Sequence, residues 1–250
     1  MAPEDISNEV AIATSTLYDL KSESDMIRLN LAKKLIKKAV GSGYEIIVVD
    51  RSSEKDIVSD FFKLGARVYK QSEKGMGKGR REVMRYAYKT GRKALMWIEP
   101  EKESLVGEIP KLVKPILEDK AEIVVPKRKS LKSYPVVQQY SEPLGNLLFK
   151  QLTGRDLDIY SGPKVFSRGC VNYFLDYNGE YGDLWDCIQI PIMNAVFDGK
   201  RVLSVEVDYT HPKEQTEIEE GNLDFYKKRI EQLVNQMDSL STHWRKLISK

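Results

Sequence analysis

Glu45-Ile46-Ile47-Val48-Val49-Asp50 decides the fold class. Four aliphatic residues in a row cannot alternate between a wet and a dry face. The strand they predict is therefore buried on both sides, as in a parallel sheet covered by helices on each face. Upstream, Ser24 to Val40 predicts a helix with Met26, Leu29, Ala32, Leu35, Ile36 and Ala39 on one side, ended by Gly41 and Gly43. Before it, Val10-Ala11-Ile12-Ala13-Thr14 predicts a buried first strand. Downstream the same alternation continues. A helix is expected from about Glu54 to Leu64, a strand at Ala66–Tyr69, a helix from Lys78 to Thr90 and a strand at Lys93–Ile98. A helix at Ile109–Glu118, with Pro110 near its start and a kink at Pro115, precedes a strand at Ala121–Pro126. Strand and helix in regular alternation predict an α/β fold, a mostly parallel central sheet flanked by helices.

The last third is less regular. It predicts a helix near Val136–Leu152, a turn-rich stretch from Gly162 to Gly182 and a strand at Arg201–Val207. A polar helix from about Leu223 is expected to pack through Phe225, Ile230, Leu233, Met237 and Leu240. With no repeat, low-complexity tract or Gly/Ser linker, residues 1–250 are expected to form a single domain.

Composition narrows the function classes. Apolar residues make up 41% and charged residues 31%, a globular balance. Forty basic and thirty-seven acidic side chains leave +3, which argues against binding nucleic acid through bulk charge. Cys170 and Cys187 are too few for a disulfide scaffold, form no metal-type pair and are expected to be buried thiols. Met1-Ala2-Pro3-Glu4-Asp5 does not resemble a signal peptide, and no run of eighteen apolar residues predicts a membrane span. A reducing, cytoplasmic setting is the expectation.

In an open parallel sheet, ligands bind beyond the carboxyl ends of the strands. Those ends are chemically rich here. The first strand runs into Thr14-Ser15-Thr16, the second into Asp50-Arg51-Ser52-Ser53, the fourth into Glu99-Pro100-Glu101-Lys102 and the fifth into Pro126-Lys127-Arg128-Lys129. Carboxylates there can accept from a ribose or base, or hold a hard divalent cation that in turn binds a diphosphate. Each acid taken singly can equally be a strand-end cap. Lys74-Gly75-Met76-Gly77-Lys78-Gly79-Arg80-Arg81 places glycines before a helix, where backbone can approach an anion. It is neither a Walker motif nor a Rossmann fingerprint, and a solvated loop is the competing reading.

Together, a strand ending in Val-Val-Asp, a K-G-x-G-x-x-R loop and a strand ending in alternating acids resemble the family two glycosyltransferases, with dolichyl-phosphate mannosyltransferases among their relatives. The resemblance runs from about Val10 to Ile190. It implies the A-type, Rossmann-like glycosyltransferase fold, with a nucleotide-sugar half at residues 1–130 and an acceptor half at residues 131–250. It implies that Asp50 contacts the nucleotide base, that Lys74 and the following glycines lie near base and ribose, and that Glu99 and Glu101 stand where the family carries its D-x-D metal motif. Gly162-Pro163-Lys164-Val165-Phe166 falls at the acceptor-side floor. Gly182-Asp183-Leu184-Trp185-Asp186 falls where the family carries its catalytic base. The departure is Glu-Pro-Glu for D-x-D, which lengthens each acidic arm by a methylene and adds Lys102 as an alternative cation for the diphosphate.

The implied activity is transfer of a sugar from a nucleotide-diphosphate sugar to an acceptor hydroxyl, inverting and assisted by Mg²⁺ or Mn²⁺. Asp186, or Asp183, is the expected base, Asp183 having the stronger capping alternative. Glu99, Glu101 and His211 are the expected metal ligands, with a hydrogen-bonded structural role the alternative for His211. Thr14, Ser15, Asp50, Arg51, Lys74, Gly75, Gly77, Arg81, Glu99, Lys127 and Arg128 are the expected nucleotide-sugar contacts. Gln138, Gln139 and Glu142 read either as sugar contacts or as surface groups. Gln215, Glu217, Glu219 and Glu220 read as a lid or an acidic loop. Trp97 and Trp185 are expected in the core, with sugar stacking second. The acceptor is expected to be an anionic small molecule or a carrier. Two alternatives stand beside this: a sugar nucleotidyltransferase, against which the glycine-free first strand end counts, and a non-catalytic nucleotide-sugar-binding module with a decayed metal motif.

Overall fold

The computed structural model describes residues 6–52 and 54–249. In chain order the strands are β1 (Val10–Thr16), β2 (Glu45–Asp50), β3 (Arg67–Lys70), β4 (Ala94–Trp97), β5 (Ile123–Arg128), β6 (Lys164–Ser167) and β7 (Val202–Val207). The helices are α1 (Glu23–Gly41), α2 (Lys55–Lys63), α3 (Met76–Lys89), α4 (Ile109–Leu117), α5 (Val136–Thr153), α6 (Asn172–Leu175), α7 (Asp186–Phe197), α8 (Lys213–Glu219) and α9 (Leu223–Ile248). The strands form one sheet in the order β3-β2-β1-β4-β6-β5-β7. β6 alone runs antiparallel to its neighbours, β4 and β5. The order reverses between β1 and β4, so the crevice expected of a doubly wound sheet opens there.

The aliphatic run of β2 explains the layering. Ile46 and Val48 face one core with Val10, Ile12, Leu35 and Ile36, while Ile47 and Val49 face the other with Ala11, Ala13, Val83 and Met84. Successive strand residues point to opposite sides, and both sides are covered by helices. Each fully buried aliphatic side chain, Leu35 among them, contributes about 1.5–3 kcal/mol. Helix α1 starts where Ser22 accepts from the Asp25 amide at 3.3 Å, with Glu23 and Asp25 in its first turn and Lys38 in its last.

The fold class matches the expectation, and the last third departs from it in detail. The stretch from Gly162 to Gly182 contains β6 and the short α6 rather than turns alone. Gln215 to Glu219 belongs to a helix, not a loop. On α9, Leu233 and Leu240 are buried as expected, but Ile230 is 49% exposed. Buried positions on that helix also include Gln232, Gln236 and Ser239. Cys170 and Cys187 are buried free thiols. Among the described residues no helix is long and apolar enough to cross a membrane.

Candidate functional site

A cavity of about 610 Å³ opens at the carboxyl edge of the sheet. The segment after β4 supplies Glu99, Glu101 and Lys102, β5 and the loop after it supply Arg128 and Tyr134, and the loop after β7 supplies His211. The turn before antiparallel β6 adds Ile159, Tyr160 and Gly162. Helices α1 and α3 close one side with Arg28 and Arg80, and α8 and α9 close another with Gln215, Glu219, Arg229 and Gln236.

Glu99 and Glu101 both line this cavity, and Asp50 does not. Glu99 is seated by Gly162, where a Cβ would come within 1.4 Å of its Oε1, so any side chain at 162 would displace it. Glu101 Oε1 accepts from Arg28 at 3.1 Å. Burial pushes the Glu101 carboxyl up, but Arg28, a backbone hydrogen bond and Lys102 together outweigh it and the group lies below its ordinary range. The second oxygens, Glu99 Oε2 and Glu101 Oε2, are buried with no hydrogen-bond partner among the described residues. Beside them, Lys102 Nζ donates to the Tyr134 hydroxyl at 2.9 Å and lies 4.3 Å from the Tyr209 ring centre. Burial disfavours its charge, yet Tyr134, Tyr209 and Glu99 hold it well above the ordinary lysine value.

The expected three-residue metal set does not form. Among the described residues no three His, Cys, Asp or Glu side chains stand together as ligands. His211 lines the cavity, but its Nδ1 lies 2.8 Å from the Thr216 hydroxyl and its Nε2 lies 3.9 Å from Glu219 Oε2. Burial, with Lys102 and Arg229 nearby, drops its pKa to about 3, so the ring is neutral. Glu219 Oε2 is a third buried oxygen without a hydrogen-bond partner among the described residues, and burial raises that carboxyl.

The nucleotide contacts expected elsewhere are placed differently. Of that set only Glu99 and Arg128 line the cavity. Asp50 is 1% exposed and fully engaged, accepting from Thr16 Oγ1 (2.6 Å), Ser52 Oγ (2.9 Å) and the Ser52 amide (2.9 Å). Burial still raises its pKa. Thr14 is buried and Ser15 half-buried within β1, and Arg51 is half-buried after β2. Ser53, read with them, lies outside the described residues. Lys127 pairs with Asp156 at 3.0 Å. Arg128, its side chain 3% exposed, is spent on Asp158 and Glu142 at 2.7 and 2.5 Å.

The glycines of the segment 74–81 serve close packing, while its Met76 and Arg80 line the cavity. Gly77 lies inside α3, where a Cβ would come within 2.0 Å of Asp183 Oδ1. Lys74 is exposed, and Gly75, at φ +136°, precedes the helix. Arg81 reaches across to Asp183, with Nη2 donating to Oδ2 at 2.8 Å.

The two acids expected to supply the base are engaged by contacts of their own. Neither Asp183 nor Asp186 lines the cavity. Asp183 is held by Arg81. Asp186 accepts from the Tyr177 hydroxyl (2.5 Å) and from the amides of Leu184 (2.7 Å) and Asp183 (3.2 Å), closing the turn that precedes α7. The capping role weighed for Asp183 is not seen: α7 begins after Trp185 without a side-chain cap. Trp185 lines the cavity while Trp97 is core. Gln138 and Glu142 reach the cavity and Gln139 does not. Gln189, Gln232 and Gln236 escaped the sequence reading; the i, i+4 spacing of the last two is the signal that could have found them.

The family model described as Glycosyl transferase family 2 matches residues 29–169. No curated protein matches the chain by sequence. The structure is similar to a crystal structure of Mycobacterium tuberculosis glucosyl-3-phosphoglycerate synthase, with TM-score 0.64, 15% identity and coverage of 96% of this chain and 85% of that one. The same enzyme in complex with Mn²⁺, uridine diphosphate and glucosyl-3-phosphoglycerate gives TM-score 0.63 at 16% identity, over 95% of this chain and 82% of that one. A further mycobacterial protein gives TM-score 0.64 at 15% identity, over 95% and 77%. At these identities the likeness establishes the fold.

Proposed function

The chain belongs to glycosyl transferase family 2, and on that premise we propose that it moves a sugar from a nucleotide-diphosphate sugar to an acceptor hydroxyl. The observation that carries this reading is the convergence of Glu99, Glu101 and the buried cation Lys102 in one cavity at the strand ends. The free oxygens of Glu99 and Glu101 fit a divalent cation, which would neutralise the leaving diphosphate. Lys102 holds a fixed positive charge in a buried setting, where it stabilises developing negative charge without reorganising. Arg28 keeps Glu101 ionised. We assign residues 1–130 to the donor and residues 131–250 to the acceptor. Glu219 replaces Asp186 and Asp183 as the proposed base, because it faces the cavity with an unengaged oxygen and burial strengthens its hold on a proton. Direct attack by the activated hydroxyl would invert the anomeric centre.

The test is a thermal-shift series with nucleoside diphosphates and their sugars, with and without Mg²⁺ or Mn²⁺. One base is expected to raise the midpoint by about 5–10 °C at a hundredfold excess over its dissociation constant, more with cation than without. No shift from any nucleotide would overturn the reading.

A further inference from the structure

The unpartnered groups at one wall of the cavity share a chemistry. Gln138, Gln189, Gln215 and Gln236 line the cavity from four different helices, α5, α7, α8 and α9. They are only 4%, 3%, 5% and 4% exposed. In each, the side-chain oxygen is buried with no hydrogen-bond partner among the described residues. For two of them the amide orientation is fixed by a neighbour. Gln138 Nε2 donates to Glu142 Oε1 at 2.7 Å, and Gln215 Nε2 donates to Glu219 Oε1 at 2.9 Å. A carboxylate only accepts, so it takes the amide nitrogen and leaves the oxygen for another donor.

Leaving a buried carbonyl unpaired costs stability, and four around one cavity are accounted for when a ligand supplies the donors. Phosphate and carboxylate groups cannot supply them, because they too accept. Alcohol hydroxyls can. Trp185 and Ile188 line the same cavity and offer apolar cover for C–H faces. We propose that this amide wall recognises a hydroxyl-rich acceptor, a sugar or polyol, with each glutamine oxygen accepting from a ligand hydroxyl. The inference rests on the glycosyltransferase reading and names its acceptor class. The donor's own sugar carries the same chemistry, but the four helices all lie in the half assigned to the acceptor.

The experiment uses the full chain, wild type and with Gln138→Leu or Gln236→Leu. Free glucose, mannose, glycerol and myo-inositol are the probes, read by ligand-observed NMR. Affinity for uridine- and guanosine-diphosphate sugars is measured separately by calorimetry. At least one probe is expected to bind the wild type and to bind each variant roughly fivefold more weakly, the loss of one neutral hydrogen bond. Donor affinity should stay the same. Without ligand Gln236→Leu should melt no lower than wild type, because leucine replaces an oxygen that had no partner, whereas Gln138→Leu also takes a donor from Glu142 and should melt lower. Unchanged probe binding in both variants, or no probe bound by a wild type that binds a nucleotide sugar, would overturn the proposal. So would a selective loss of donor affinity, which would give the wall to the donor's sugar, or a lowered melting point of Gln236→Leu with probe binding intact. A probe that binds while no nucleotide sugar does would leave the wall standing and remove the function proposed above.

Discussion

Around Asp183 and Asp186 each carboxylate is met by donors: Arg81 on the first, Tyr177 and two backbone amides on the second. In the cavity, Glu99, Glu101 and Glu219 each keep a buried oxygen with no hydrogen-bond partner among the described residues. Both regions carry acids near the carboxyl edge of one sheet, and composition alone makes them look alike. The difference is energetic. A buried carboxylate whose oxygens are filled is a structural part, because its interactions are already spent. One with an oxygen left over is held at a cost in stability that a ligand can offset.

The comparison breaks hardest where a satisfied buried cluster loses its centre. Arg128 joins Asp158 and Glu142 with almost no exposure, and burial disfavours its charge while the two acids hold it charged. Arg128→Met should cost about 3–5 kcal/mol by stranding the two carboxylates. That is a midpoint drop of roughly 6–20 °C in a chain of this size, measured by calorimetry. A loss under about 1 kcal/mol would mean that the acids are less buried than the structure shows.

A smaller effect sharpens the contrast from the cationic side. Lys164 is fully buried on β6, donating to the carbonyls of Ser161, Ile159 and Gly162 behind Glu99. Burial lowers its pKa to about 7 from the ordinary 10.5. Between those two values the unfolded chain binds a proton that the folded chain does not, so stability should rise with pH across that window. Below about pH 7 both states are protonated and the slope vanishes. The slope is at most about 1.4 kcal/mol per pH unit. Lys164→Met, though less stable overall because three carbonyls lose their donor, should lose that slope in denaturant titrations. An unchanged slope would show that Lys164 is not its source.

These contrasts also explain what was legible in the sequence. The strand Glu45–Asp50 is read to the residue because an aliphatic run has one stable environment. β6 was missed because four residues beginning with a lysine, behind Gly162-Pro163, carry no strand period. Glu99, Glu101, Lys102 and His211 were found because strand ends are recognisable from the strands themselves. The engagement of Asp183 and Asp186 is not legible because a sequence displays acids and not their partners; Arg81 lies on α3, 102 positions from Asp183. The glutamine wall was mostly invisible for a related reason. On a helix as polar as α9, buried amides at Gln232 and Gln236 are written in the same letters as a solvated face.

The most direct measurement is sugar-donor turnover by Glu99→Gln and Asp186→Asn side by side with wild type, normalised to folded protein. Glu99→Gln should lose activity by about a hundredfold or more while melting as wild type does. Asp186→Asn should lower the melting point by weakening the hydrogen bonds from Tyr177 and the Leu184 and Asp183 amides, and turn over within about threefold of wild type. The reverse pattern, with Glu99→Gln active and Asp186→Asn folded but inert, would contradict the division between filled and unfilled acids.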